Sequence, residues 1–335
     1  MIRQRYIDLV KGLSILCIVL LHYAVGAFPN EINVFVGSFM ITAFYVTSGW
    51  IDGMNPKMLP LKTFIRKRLG QLGIPYLYWS CIIVVFDIIL WSFDYYNAKY
   101  IAKDLYKTVT FRGIGTLWFL PALLGGSILW HWLKQKTRTA LLLLLFFTIV
   151  YQELYNYYFV GKDAEIVRII DAPFRTIYNI LQAWVGIAFG YYAYKLTKIT
   201  NPVYLFIAGI VCLGSAYIVA NYYPFSMGWS YFAPLWGPLG LIYLFKSVEK
   251  YALFAYLNYW GQNSLNLMLT HYSITLVIVR ILFDNILHTP FVGRITLIAF
   301  ICSLPVQHLF VYLVNRFAIQ TLGKFKKNDY KVFTK

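Results

Sequence analysis

Apolar runs of about 20 residues recur along the chain, and each is long enough to cross a lipid bilayer as a helix. Charged residues make up only 13% of the 335 positions, whereas a soluble domain has about 25%. We therefore predict an all-α, polytopic integral membrane protein with about ten transmembrane helices, one domain over residues 1–335 and no soluble domain. The predicted spans are 9–28, 33–53, 74–93, 115–133, 139–158, 177–195, 203–221, 230–246, 262–283 and 294–315.

The basic residues predict the orientation of these spans. If the N-terminus lies inside, most of the 30 Lys and Arg residues fall on cytoplasmic loops, and the connector 54–73 is the most basic of these. Because cytoplasmic loops carry an excess of Lys and Arg, both termini are expected in the cytoplasm and the protein in the cell (inner or plasma) membrane. The basic residues behind the net charge of +17 lie between apolar spans, where they set topology, so we predict no nucleic-acid partner.

The outer loops and the cysteines give weaker signals. Outer loops such as "SFDYYNAKY" (92–100) are rich in tyrosine, which suits a membrane interface and can also stack on a sugar. The four cysteines lie inside apolar runs without paired spacing, so we predict neither a disulfide framework nor a metal site.

The first span carries polar residues in an otherwise apolar sequence. In "DLVKGLSILCIVLLHY", Lys11 and His22 lie on one helical face about 16 Å apart, and Asp8 lies one turn before Lys11. Lys11 can be a snorkelling residue with Asp8 as its partner. His22 lies too deep to reach either surface, which favours a functional cavity, with a buried interhelical hydrogen bond as the alternative.

A second histidine occurs at a similar depth. His271 lies about ten residues into the ninth span, whose cytoplasmic entrance contains Asn263, Ser264 and Asn266. Two histidines at one level predict a shared internal site, where an imidazole can act as a general base toward a hydroxyl.

Five segments together resemble the acyltransferase-3 family of integral membrane O-acyltransferases, a group that includes fucose 4-O-acetylase-like and surface-polysaccharide O-acetyltransferases. The first is the pattern Asp8, Lys11, ten intervening residues and His22. The other four are "FYVTSGW" (44–50), "FIRKRLGQLGIPYLYW" (64–79), "TLWFLPALL" (116–124) and "GQNSLNLMLTHY" (261–272). Two positions depart from the family pattern, because Lys11 and Gln71 stand where many members have Arg.

The resemblance implies transfer of an acyl group, usually acetyl from acetyl-CoA in the cytoplasm, to a hydroxyl of a cell-surface or lipid-linked glycan at the outer side. His22 is then expected to be the general base. His271 would orient the donor or stabilise the oxyanion, and Asp8 would help to hold the donor at the inner mouth. The residues expected to bind the CoA donor are Lys11, Arg66, Arg68, Asn263 and Ser264. No metal is expected to take part.

A transporter or flippase is the alternative function. Spans with intramembrane histidines and charged groups are also typical of proton-coupled carriers, and some members of the family are described as polysaccharide exporters. The two halves of the sequence show no inverted repeat, since nothing around residue 170 corresponds to the first span. The acyl group and the acceptor sugar remain open.

Overall fold

The computed structural model of the chain describes residues 3–24, 28–55, 57–162, 164–223, 231–249, 254–289 and 291–324. Helices dominate these residues, and no strand occurs among them. The prediction of an all-α polytopic membrane protein is therefore confirmed.

The helices follow one another with short connections. The first eight are α1 (Arg5–Ala24), α2 (Asn30–Phe39), α3 (Thr42–Met54), α4 (Leu61–Arg68), α5 (Ile74–Ser92), α6 (Ala98–Val109), α7 (Phe119–Leu133) and α8 (Arg138–Phe159). The next seven are α9 (Glu165–Leu196), α10 (Pro202–Tyr222), α11 (Phe232–Val248), α12 (Ala255–Gln262), α13 (Ser264–Thr270), α14 (Val277–Ile281) and α15 (Arg294–Phe317). Three π-helical segments interrupt them at Leu69–Gly73, His271–Leu276 and Leu282–Ile286, and a 3₁₀ turn covers Ile319–Leu322.

The ten predicted spans fall mostly on described helices, and residues 25–27 and 230 of two of them lie outside the described residues. Among the described residues, seven helical stretches are long and apolar enough to cross a membrane, and α7 and α11 are shorter apolar helices. The predicted span 177–195 is the second part of the 32-residue helix α9. The predicted span 33–53 is divided into α2 and α3 by a turn at Met40 and Ile41.

The chain divides into two compact units. The first comprises Met1–Met58 and Gly186–His308, and the second comprises Leu59–Val185 and Leu309–Lys335. In the first unit α10 packs on α11, and α1 packs on α12. In the second, α4 packs on α7 and α5 packs on α6. The prediction of one domain over the whole chain stays a prediction.

Glycines bring α1 and α12 into backbone contact in the first unit. A Cβ atom on Gly12 would lie 1.9 Å from the carbonyl oxygen of Leu257, and one on Gly261 would lie 1.8 Å from the carbonyl oxygen of Asp8. No real side chain fits at such distances, so both positions require glycine. Small residues permit this close approach between helices in membranes.

The sequence "FYVTSGW" serves the same kind of packing between α3 and α9. A Cβ atom on Gly49 would lie 1.8 Å from the carbonyl oxygen of Ile187, and one on Gly190 would lie 2.0 Å from that of Val46. Ser48 in the same motif donates its hydroxyl to the Phe44 carbonyl oxygen at 2.8 Å. This motif therefore contributes close helix packing within the first unit.

Candidate functional site

His22 and His271 meet in the first unit. The Nε2 atom of His271 lies 3.2 Å from Nδ1 of His22, and the ring centroids are 5.2 Å apart. The structure therefore brings together the two histidines that the sequence placed at one depth.

The glycine contact explains why they meet. Gly12 and Gly261 are both close to the backbone of the facing helix. His22 follows Gly12 by ten residues of α1, which is about 15 Å of helix, and His271 follows Gly261 by the same number of residues, across the break at Asn263. The two stretches thus start from one contact and reach the same level.

A π-helical segment begins at His271 and extends to Leu276. Such segments inside α-helices are rare and frequently occur at functional sites. It follows α13, which itself begins after a break at Asn263 with φ −107° and ψ 14°. His271 therefore lies where the helix changes its hydrogen-bonding pattern, a feature that the sequence did not indicate.

The hydrogen bonds assign the ring protons. Nδ1 of His271 lies 2.7 Å from the carbonyl oxygen of Leu267, which can only accept, so this nitrogen carries the hydrogen. In an uncharged ring Nε2 then bears the lone pair, and it accepts a hydrogen bond from Nδ1–H of His22. Uncharged His22 consequently has its lone pair on Nε2, a tautomer assigned from the network.

The two rings differ in accessibility. His271 is fully buried, whereas His22 is exposed. Tyr272 packs edge-on against the His22 ring with centroids 4.8 Å apart, and it is 39% exposed. A substrate can thus contact His22 and Tyr272, while His271 supports His22 from behind. Sequence reasoning missed Tyr272, although it follows His271 directly.

Asp8 at the start of α1 is paired with Arg3. Its carboxylate accepts from Nε of Arg3 at 2.5 Å and from Nη2 at 3.1 Å. Asp8 is buried and lies 14 residues before His22, about 21 Å along the helix. The structure therefore does not bring Asp8 to the histidine pair. Lys11 is half-buried on the same helix. No feature of the sequence pattern pointed to a role for Arg3.

The predicted polar entrance is formed by Asn263, Ser264 and Asn266. Asn263 donates from Nδ2 to the Tyr259 carbonyl oxygen at 3.0 Å, and Ser264 is the half-buried first residue of α13. Asn266 is 1% exposed, and neither its Oδ1 nor its Nδ2 has a hydrogen-bond partner among the residues that the structure describes. An amide buried in this way is costly unless something else satisfies it.

Arg66 and Arg68 lie in the last turn of α4, in the second unit. Arg66 is exposed, whereas Arg68 is half-buried with its guanidinium 5.3 Å from the centre of the Phe64 ring. Nη1 of Arg68 is 3.5 Å from Oε1 of Gln71, within the π-helical segment that follows. The Gln71 amide can therefore accept from Arg68, which an arginine at this position could not do.

A tyrosine-lined cleft lies in the second unit, on the connector between α5 and α6. Its volume is about 370 Å³, and its walls include Tyr95, Tyr96, Tyr100, Lys103 and Glu165. The Tyr96 and Tyr100 rings stack with centroids 4.0 Å apart. Burial, together with the nearby Asp104 carboxylate, raises the pKa of Tyr100, so its hydroxyl remains a donor at neutral pH.

The family comparison covers both units. Residues 4–325 match the model of the acyltransferase-3 family, whose description is "Acyltransferase domain". The chain belongs to the acyltransferase-3 family. This membership assigns it membrane acyltransferase activity in general, and the multiple apolar helices agree with a multi-pass membrane protein. No curated protein and no solved structure matches the chain.

Proposed function

We propose that this acyltransferase moves an acyl group, most simply acetyl, from cytoplasmic acyl-CoA to a hydroxyl of a cell-surface or lipid-linked glycan, with His22 as the general base. Its support is the contact between His22 and His271, because that contact leaves a lone pair on the exposed ring. The predicted topology, with both termini in the cytoplasm, puts the start of α1 on the donor side and the connector 94–114 on the acceptor side.

His22 acts on the acceptor hydroxyl. Its Nε2 takes the hydroxyl proton as the oxygen attacks the thioester carbon, and it returns the proton to the departing thiol. The donor supplies an activated carbonyl with a good leaving group. A positioned general base of this kind contributes about 10²- to 10⁴-fold to the rate. Tyr272, beside the His22 ring, restricts the approach of the acceptor.

His271 is proposed as a positioning residue. It is fully buried, and both of its ring nitrogens are engaged, with Leu267 and His22, so we propose that it acts on His22 rather than directly on the donor or the oxyanion. The hydrogen bond that one ring nitrogen of a histidine makes decides whether the other nitrogen carries the lone pair. His271 thus keeps the Nε2 lone pair of His22 available to substrate.

The donor is proposed to enter along the first unit. Lys11 supplies positive charge near the start of α1, where Asp8 and Arg3 are paired. Asn263 and Ser264 follow on the other helical stretch, where both are half-buried and can contact the donor. Arg66 and Arg68 are the candidates for contacts with CoA phosphates, because guanidinium groups bind phosphate in a bidentate manner.

The glycan is proposed as acceptor because of the tyrosine-lined cleft. Stacked aromatic rings beside a Lys and a Glu offer both an apolar face and hydrogen-bonding groups, which are the two contacts that a sugar ring needs. The sugar and its attachment to a lipid are left open by these contacts.

The test is acyl transfer by purified protein in nanodiscs, with radiolabelled acetyl-CoA and a panel of free and lipid-linked glycans. We expect label on a glycan with the wild type and a loss of about 100-fold or more with His22→Gln. The matched control is His308→Gln, since His308 also lies in the first unit but packs on Trp260 and Tyr259. It should keep the wild-type rate.

Two results would contradict the proposal. Transfer that persists in a folded His22→Gln protein would remove His22 as the base. Failure of the folded wild type to bind or turn over any acyl-CoA would favour the transporter or flippase alternative.

A further inference from the structure

The turn that connects α6 to α7 holds Arg112 between two residues with left-handed backbone conformations. Phe111 has φ 56° and Gly113 has φ 74°. A bulky residue with positive φ is an outlier, and such strain persists only where the surroundings fix it. Here the N–H of Gly113 donates to the Lys107 carbonyl oxygen at 3.0 Å.

Hydrogen bonds attach this connector to α9 within the second unit. Thr176 donates its hydroxyl to the Thr110 carbonyl oxygen at 3.1 Å, and Tyr106 donates to the Ile169 carbonyl oxygen at 2.7 Å. Both contacts join the α6 end of the turn to the first part of α9, so the position of Arg112 is fixed relative to that helix.

The same part of α9 carries Asp171 and Arg175. Tyr155 donates its hydroxyl to Asp171, and the Arg175 guanidinium lies 5.4 Å from the Tyr155 ring centre and 4.9 Å from that of Tyr178. Arg175 is therefore held above two aromatic rings, next to a carboxylate that already accepts a hydrogen bond.

Arg112 lacks a comparable arrangement. It is half-buried, and it makes neither a hydrogen bond nor an ion pair with any residue in the described part of the chain. Burial and the nearby charge of Arg175 lower the pKa of Arg112, while Asp171 acts in the opposite direction. Glu153, a second carboxylate close to Tyr178, is exposed and solvated. Arg112 thus lies near a second cation, Arg175, and within the described part of the chain its guanidinium donors are unused.

We propose that Arg112 and Arg175 form a binding subsite for an oxyanion carried by the acceptor. The unused donors of Arg112 form a planar fork that matches the oxygens of a carboxylate or phosphate. A bound anion would also relieve the repulsion between the two guanidinium groups. The claim that this site binds an anion does not depend on the proposed function. The claim that the anion belongs to the acceptor rests on the proposed acyl transfer to a glycan.

Two kinds of acceptor carry such an oxyanion. An acidic glycan presents the carboxylate of a uronic acid, and a lipid-linked glycan presents the diphosphate of its polyprenyl carrier. The shared chemistry is a pair or cluster of oxygens with negative charge, and separate probes distinguish the two sources.

The experiment measures binding to the purified full-length protein in nanodiscs of zwitterionic lipid, without acyl donor. The probes are a uronic-acid oligosaccharide, the same oligosaccharide with its carboxyls reduced, and polyprenyl diphosphate. We expect saturable binding of at least one anionic probe and none of the reduced one. Arg112→Gln should weaken binding by roughly ten- to one-hundred-fold, and Arg112→Lys by less, since it keeps the charge.

Arg168→Gln is the matched control, because Arg168 is an exposed arginine on α9, the helix that carries Arg175. The Arg168→Gln protein should bind the anionic probes as the wild type does. Equal binding of the acidic and reduced oligosaccharides without diphosphate binding, or wild-type binding by a folded Arg112→Gln protein, would overturn the subsite. A protein that binds the anion but transfers no acyl group would refute the proposed function and leave the subsite standing.

Discussion

The histidine pair of the first unit and the arginine pair of the second unit deal with buried polarity in opposite ways. His271 is fully buried, yet its two ring nitrogens are used by a carbonyl and by His22, so no charge is needed. Arg112 is half-buried and always charged, with a second cation beside it. The first cluster therefore has its hydrogen-bond partners among the described residues, whereas the second is the one that we propose to be completed by an anion.

The largest effect is expected from disturbing the contact between α1 and α12, on which the histidine pair depends. Gly261→Ala puts a Cβ atom 1.8 Å from the Asp8 carbonyl oxygen, so α1 and α12 must separate at a cost of about 1–3 kcal/mol or more. We expect a lower midpoint of thermal unfolding and loss of acyl transfer. Gly214→Ala is the control, because a Cβ atom there meets nothing within 4 Å. Equal stability of the two variants would show that the helices do not depend on this contact.

The neutral pair itself is tested at His271. His271→Leu removes the acceptor for His22 Nδ1–H, and we expect kcat to fall by about 10- to 100-fold while KM is unchanged. His271→Gln should restore part of the rate, since an amide can accept from His22 and donate to Leu267. Kinetics on both variants, at matched thermal stability, separate positioning from folding. A leucine variant with wild-type kcat would contradict the role of the pair.

Arg3 tests a charged pair at the end of the same helix. Arg3→Gln leaves the buried Asp8 carboxylate without its guanidinium partner. Because Arg3 is itself 59% exposed, solvent screening limits the expected loss to about 1 kcal/mol of unfolding free energy. Thermal unfolding of Arg3→Gln and Arg3→Lys measures this loss of stability. A large loss of stability in Arg3→Lys, which keeps the charge, would show that the two-point contact of the guanidinium with Asp8 matters more than its charge.

The smallest effect is expected at Lys99 and Glu165 in the second unit. The Lys99 ammonium lowers the pKa of Glu165, but both side chains are largely exposed, at 75% and 66%. Water screens such pairs, so a double-mutant cycle of Lys99→Gln and Glu165→Gln should give no measurable coupling in stability. If the two substitutions are coupled in glycan binding but not in stability, the Lys99–Glu165 pair contributes to the binding cleft that it lines.

Most of the fold could be predicted from hydropathy, because apolar length determines which segments form spans. Hydropathy could not show that α9 begins at Glu165, since polar residues such as Asp171 continue the helix before the apolar part. Nor could it show the turn at Met40, which no Gly or Pro marks.

The candidate site could also be predicted only in part. Helical rise alone gave the common depth of His22 and His271. The sequence did not indicate the π-helical segment at His271, since the apolar pattern of the span predicts an ordinary α-helix there. The partner of Asp8 was also unpredictable, since Arg3 precedes α1 and reaches the carboxylate through a flexible side chain.

The equal spacing from the glycine contact to the two histidines has a consequence for how such a sequence can change. One residue inserted between Gly12 and His22 would leave the apolar character of α1 intact but turn His22 by about 100° and shift it by about 1.5 Å. An insertion between Gly261 and His271 would likewise change the position of His271 relative to the glycine contact. The lengths of these two segments must therefore both be kept if the histidines are to meet, whereas substitutions within them leave the lengths unchanged. Insertions and deletions that are tolerated should occur outside both segments.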